Sequence, residues 1–226
     1  MVGIQGTPFR VILLAAAILS LLTTPTFSAD RKTLRKQAEA GDAKSQYALG
    51  EAYYFGRGVP RDFAEALKWY RMAGDHGYAA AHNNIGQMYM KGEGVPRDPA
   101  EAVKWYRKAA EMGDASAQSN LGVAYFKGRG VPRNYAEAAK WTRKAAEQGL
   151  TIAQFNLGVA YFKGQGVPRD PVQAYCFLSM AASGSAGEDR KKFSRSRDLA
   201  ASKLTPENLM EAQKMTREWK AKHPGK

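Results

Sequence analysis

A single cysteine, Cys176, stands in a chain of 226 residues. No internal disulfide can form, so packing alone must hold the fold together. Histidine is nearly as scarce: His76 and His82 lie six apart across a helix boundary, and His223 sits in the tail. That spacing provides no zinc site. No serine is followed three residues later by lysine, which removes the common penicillin-binding nucleophile motif. The recurring GRGVPRD stretch lacks the G-K-[ST] ending of a phosphate loop. No catalytic residue, metal or cofactor is therefore expected. Acidic residues are outnumbered, 21 against 34 Lys and Arg, and the formal charge of +13 favours anionic partners in a general way.

Long apolar runs are also missing. Residues 11–22 (VILLAAAILSLL) form a run of twelve, whereas a helix crossing a bilayer needs about 20 apolar residues. Arg10 precedes the run and TTPTFSAD follows it, with the small residues Thr26 and Ser28 placed for a cut after Ser28. A cut after Ala29 is the other choice, although it sets bulky Phe27 where a small residue is preferred. A basic start, a short apolar run and small residues describe a secretory signal peptide over 1–28 and a periplasmic or secreted chain. The other reading is a retained anchor. No cysteine near the cut offers a lipid attachment point.

What is present is repetition. Residues 56–71 read GRGVPRDFAEALKWYR, 92–107 read GEGVPRDPAEAVKWYR, 128–143 read GRGVPRNYAEAAKWTR, and 164–179 read GQGVPRDPVQAYCFLS. The spacing is 36 without an insertion, and it holds for Pro60, Pro96, Pro132 and Pro168. It holds too for Gly50, Gly86, Gly122 and Gly158, and for Tyr53, Tyr89, Tyr125 and Tyr161. Trp69, Trp105 and Trp141 continue it, with Phe177 as the fourth member. A fixed period of this length marks a repeat array.

Each repeat reads as two helices. The first, as in SAQSNLGVAYF at 116–126, sets Ala117, Leu121 and Tyr125 on one stripe and stops at a glycine. The second opens at Asp62, Asp98, Asn134 or Asp170, each an N-cap, with Glu65, Glu101, Glu137 or Gln173 completing a capping-box-like pair. A mid-helix glycine costs about 1 kcal/mol relative to alanine. Gly50 and its equivalents are therefore expected where helices approach closely, under Trp69 or Tyr70. One pair cannot bury its own apolar face, and stacking identical pairs makes a continuous core.

The ends depart from the pattern as caps should. Thr33 takes a tryptophan position, Ser194 a glycine position and Arg197 a tyrosine position. A last helix opens at Thr205-Pro206, with Leu209, Ala212, Met215 and Thr216 forming its apolar side. The organisation is a cap helix over 29–42, four repeats over 43–186, and capping helices with a tail over 187–226. Cys176 aligns with Lys68, Lys104 and Lys140, so it points away from the core of the helix pair. It is exposed unless the C-terminal helices cover it.

The pattern A-x-A-Q-x-x-L-G-x-x-Y-x-x-G-x-G-V-P-R-D-x-x-E-A-x-x-W-Y-x-x-A-A-x-x-G, nearly whole over 115–149, resembles the Sel-one-like repeat family, relatives of the tetratricopeptide repeat. The likeness covers about 34–186. It implies an all-α fold, a right-handed α-solenoid of helix-turn-helix repeats whose first helices line a concave groove. It also implies an adaptor or scaffold, in bacteria often of the envelope. A cysteine-rich branch associated with penicillin binding uses a disulfide in each repeat, and this chain departs from that branch.

Two series are candidate binding surfaces. Asn84, Asn120 and Asn156 precede the Ile/Leu-Gly pair in three repeats, with Ala48 in the first, and asparagine is a poor helix-interior residue. They resemble the asparagine ladder with which some tetratricopeptide proteins hold an extended peptide. The competing reading ties each amide to the next helix. Gln87, Val123 and Val159 on the same helices vary between repeats, as groove residues would. The second series is basic, Lys91, Lys127 and Lys163 with Arg61, Arg97, Arg133 and Arg169. It reads either as a track for an anionic surface or as a solvated edge. The expectation is a non-enzymatic adaptor of the cell envelope that binds another envelope protein through an extended segment. The alternatives are a polysaccharide- or peptidoglycan-binding structural protein and a cell-wall hydrolase. Nucleic acid is not an expected partner of an exported chain.

Overall fold

The computed structural model describes residues 25–223, with side chains from residue 32. The expected signal peptide lies outside the described residues except for its last four, which open the first helix. Among the described residues there are eleven helices and no strand. They are α1 (Pro25–Glu39), α2 (Ala43–Phe55), α3 (Phe63–Asp75), α4 (Ala79–Lys91), α5 (Pro99–Glu111) and α6 (Ala115–Lys127). After these come α7 (Tyr135–Glu147), α8 (Thr151–Lys163), α9 (Pro171–Ser183), α10 (Gly187–Ala201) and α11 (Pro206–Lys222). None of them is long and apolar enough to cross a membrane. The chain divides into two compact units at Tyr78–Ala79.

The punctuation works as the repeat predicts, with one correction. Asp98 Oδ1 accepts from the backbone N–H groups of Ala100 at 2.9 Å and Glu101 at 3.0 Å, and Asp62 and Asp170 cap α3 and α9 in the same way. Each such cap stabilises its helix by about 1 kcal/mol. The return half of the capping box does not form. The N–H of the cap residue donates instead to a tyrosine carbonyl of the preceding helix, Asp98 to Tyr89 at 2.9 Å and Asn134 to Tyr125 at 3.0 Å. The glutamates, released from that role, pair with lysines three residues on, as Glu101 does with Lys104 at 2.8 Å.

In the first unit α2 packs between α1 and α3. Ala38, Leu49 and Trp69 form one buried cluster of its core, and Ala66, Tyr70 and Ala73 are buried as well. The Tyr70 ring lies on the bare backbone of Gly50, where an added Cβ would stand 2.6 Å from the ring.

In the second unit each helix from α4 to α9 packs on the next, α4 also meets α6, and α11 lies on α9. Tyr106 covers Gly86 as Tyr70 covers Gly50. All four glycine positions are close-approach sites, and at Gly50 and Gly86 it is the tyrosine, not the adjacent tryptophan, that lies over the backbone. Trp141 joins a core with Ala109, Ala110 and Leu121, residues of the two preceding helices. The turn glycine Gly130, at φ 76°, sits against the start of α5, and a Cβ there would overlap the Pro99 carbonyl. Buried glutamines add a polar tie that the repeat pattern did not announce. Gln118 Nε2 donates to the Ala110 carbonyl at 3.2 Å and Gln154 Nε2 to that of Ala146 at 3.3 Å.

The C-terminal cap settles the position of Cys176. The thiol is 3% exposed and donates to the Ala212 carbonyl at 3.2 Å, beneath α11. Thr216 Oγ1 donates to the same carbonyl at 2.8 Å. The periodic position does face away from the helix pair, and the last helix closes over it.

Candidate functional site

The hydrophobic face of one helix pair is completed imperfectly, and the defect makes a site. The positions that lie over Gly50, Gly86, Gly122 and Gly158 are Tyr70, Tyr106, Thr142 and Leu178. At the third, a threonine hydroxyl replaces a ring. A cavity of about 320 Å³ opens beside it, between α6, α7 and α8. Val123 and Phe126 of α6, Tyr135 and Thr142 of α7, and Phe155, Asn156 and Val159 of α8 form its walls. Phe126 is 42% exposed, high for so large an apolar side chain at the mouth of a cavity.

Three of the six candidate groove residues, Val123, Asn156 and Val159, come together here. Asn84, Gln87 and Asn120 are half-buried and do not line this cavity. Asn120 Nδ2 donates to Oδ1 of Asn83 at 2.9 Å, a bond that runs from one repeat to another. Asn156 lines the cavity and makes no side-chain hydrogen bond among the described residues. The asparagines are therefore not equivalent, and the residue that sequence reasoning passed over is Asn83, one position earlier and buried.

Electrostatics distinguish the members of the basic series. Arg97 Nε donates to the Met90 carbonyl at 3.1 Å, and the Arg133 guanidinium lies over the Tyr135 ring at 5.4 Å. Lys91 pairs with Glu93 at 3.5 Å. Lys127 lines the cavity and has no ion-pair partner among the described residues. No acidic residue lines the cavity.

A second cleft of about 320 Å³ lies between α9, α10 and α11. Arg190, Arg197, Arg217 and Lys220 surround it, with the Ser179 hydroxyl buried at its wall and unbonded. Its signal in the sequence was the seven-residue spacing of Arg190 and Arg197, and the three-residue spacing of Arg217 and Lys220, which set each pair on one helix face. No group of three or more His, Cys, Asp or Glu able to hold a metal occurs among the described residues. His82 is buried against Trp105, ring centroids 5.4 Å apart, and His76 Nδ1 meets Gln46 Oε1 at 2.8 Å.

Repeated helix pairs with shared caps, glycine contacts and stacked cores define an all-α repeat protein of the solenoid class. Comparison with known proteins gives the family. The Sel1 repeat matches residues 43–78, 79–114, 115–150 and 151–185. The chain belongs to the Sel1 repeat family. A Sel1 repeat protein from Oxalobacter formigenes is 36% identical, with a TM-score of 0.65, over 72% of this chain and 47% of its own. A protective antigen of uropathogenic Escherichia coli with an SLR fold is 30% identical, TM-score 0.56, over 85% of this chain and 48% of its own. The chain thus spans about half the length of these two relatives. An immunity protein from Pseudomonas aeruginosa, 20% identical with a TM-score of 0.50 over 92% of this chain and 88% of its own, shares the fold. No curated protein matches the chain. Sel1 repeat proteins generally mediate protein–protein interaction, and the family typically serves as non-catalytic adaptor or scaffold.

Proposed function

We propose that this protein is a non-enzymatic adaptor of the bacterial envelope that holds a segment of another protein against α6 and α8. The observation that carries the reading is the cavity walled by Val123, Asn156 and Val159. Val123 and Val159 are 36 apart, so stacked repeats present them side by side, and the Asn156 amide can both donate to and accept from a peptide backbone. Apolar walls with one or two polar groups are the usual composition of a recognition site. The envelope placement is supported by the basic residue, apolar run and small-residue cut near the start of the chain.

Photo-crosslinking tests the reading. A photoreactive residue at position 159 is expected to capture a discrete protein from an envelope fraction, while the same residue at exposed Lys104 captures none. The adduct should survive a wash at moderate salt, since exposed charges are screened beyond about 10 Å at 0.1 M. Equal capture at both positions would overturn it.

A second reading, binding to an anionic envelope polymer, is favoured by the cleft of Arg190, Arg197, Arg217 and Lys220. It predicts adhesion that disappears with salt and needs no residue of α6 or α8.

A further inference from the structure

We infer that the cavity between α6, α7 and α8 takes one aromatic side chain from an acidic segment of the partner. This rests on the adaptor reading above and specifies what the bound segment carries.

The first repeat shows what is missing from the third. In the first unit, Tyr54, Phe63 and Tyr70 form a cluster of three rings, with the Tyr54 centroid 5.3 Å from Phe63 and 6.5 Å from Tyr70. The equivalent positions in the third repeat are Phe126, Tyr135 and Thr142. Phe126 and Tyr135 keep the first contact, again at 5.3 Å, and the third ring is absent. The chain therefore supplies two sides of an aromatic cluster and leaves the place of the third open. The other glycine positions offer no such place, because Tyr106 fills the second repeat and Leu178 the fourth. At about 320 Å³ the space lies at the small end of ligand cavities, which run from roughly 300 to 1,000 Å³, and it accommodates a ring with some flanking backbone. Offset and tilted ring pairs give such a guest an attraction beyond burial.

Charge selects the rest of the guest. Lys127 lines the cavity without an acidic partner, and no carboxylate shares the walls. A cation on the rim of an apolar slot is complemented by Asp or Glu beside the inserted ring, and the formal charge of +13 draws an acidic segment towards the protein. The occupant is thus a Phe, Tyr or Trp flanked by carboxylates.

The test uses the full chain and a fluorescein-labelled twelve-residue Gly/Ser peptide with one Phe flanked by two Asp on each side, read by fluorescence anisotropy. Replacing that Phe by Ala should weaken binding about tenfold or more, as loss of a central aromatic anchor does. Thr142→Tyr should weaken it equally while melting no lower than the parent, because the first two repeats already hold tyrosine over the glycine. Thr142→Leu, which copies the fourth repeat, is a second filling variant should the ring fit poorly. Lys127→Glu, or Lys in place of the peptide Asp residues, should reduce affinity several-fold at low salt. Failure of the parent to bind the Phe peptide, or equal binding by the filled variants or of the Ala peptide, overturns the proposal. Crosslinking from position 159 in Thr142→Tyr separates this from the broader reading: a persisting adduct keeps the adaptor and discards the aromatic slot.

Discussion

Asn120 reaches from α6 to α4 and donates to Asn83 at 2.9 Å, whereas Asn156, 36 residues on, has Ser119 in the place of Asn83 and makes no bond to it. One series of identical residues thus holds a structural amide and an unengaged one. Substitution should reveal the difference. Asn120→Ala leaves the Asn83 oxygen, on a residue 5% exposed, without its donor, and is expected to cost about 1–3 kcal/mol. Asn156→Ala should be neutral or slightly stabilising, because alanine is the better helix former by up to about 0.7 kcal/mol. Urea denaturation of the two variants checks this, and equal losses would contradict it.

Gly86→Ala sets two effects against each other. Helix propensity favours alanine by about 1 kcal/mol. The new Cβ would stand 2.6 Å from the Tyr106 ring and 3.0 Å from the Ala102 carbonyl, neither of which can retreat through a packed helix pair. Overpacking of this kind costs about 1–3 kcal/mol, so a net loss of stability is expected. A thermal melt that rises would show that α4 and α5 are freer to separate than their contact implies.

Much of the fold was legible because the repeat writes its caps, glycines and apolar stripes four times. Other features were not, for reasons of geometry. Trp69 and Tyr70 are neighbours in sequence but about 100° apart around a helix, and the apolar pattern alone did not say which ring would cover Gly50. The glutamates at 65, 101 and 137 looked like capping-box partners, but the N–H they would have bound was already donated to a tyrosine carbonyl. That bond spans the loop and has no local signature. Of the residues that line the candidate cavity, Val123, Asn156 and Val159 are legible from their positions on the first helices. The cavity itself was not, because it arises from a departure, threonine at 142, whose effect depends on Phe126 and Tyr135 keeping their places. The buried Gln46, Gln118 and Gln154 lay unread among alanines, as their carbonyl partners sit eight residues back on another helix.

Burial pushes the Tyr106 phenol up to about 12, against a usual value near 10. The sign of the linkage follows directly. Above pH 10 the unfolded chain releases a proton that the folded chain retains, so the unfolded state binds fewer protons and stability falls as pH rises. The contribution is intact below about pH 10 and is lost towards pH 12. A shift of this size corresponds to roughly 2–3 kcal/mol. Tyr106→Phe keeps the ring over Gly86 and removes the titrating group. It should flatten this part of the alkaline profile in urea melts taken at pH 9 to 11.5, and an unchanged slope would assign the loss to other groups.

Cys176 reports on the last helix. Its thiol is covered by α11, hydrogen-bonded to the Ala212 carbonyl, and raised in pKa chiefly by burial, all of which suppress the reactive thiolate. Only Ala212 and Thr216 of α11 are buried, and the helix packs on α9 alone among its larger contacts. Terminal elements with so little burial open at a lower free energy than the core of the array. A disulfide reagent should therefore leave the native protein almost unlabelled, yet modify Cys176 at urea concentrations where circular dichroism still shows most of the helix content. Ala212→Glu, which places a charge against α9, should bring labelling into the native range without removing the repeats. Labelling that appears only with the main unfolding transition, in both forms, would mean that α11 belongs to the same cooperative unit as α9.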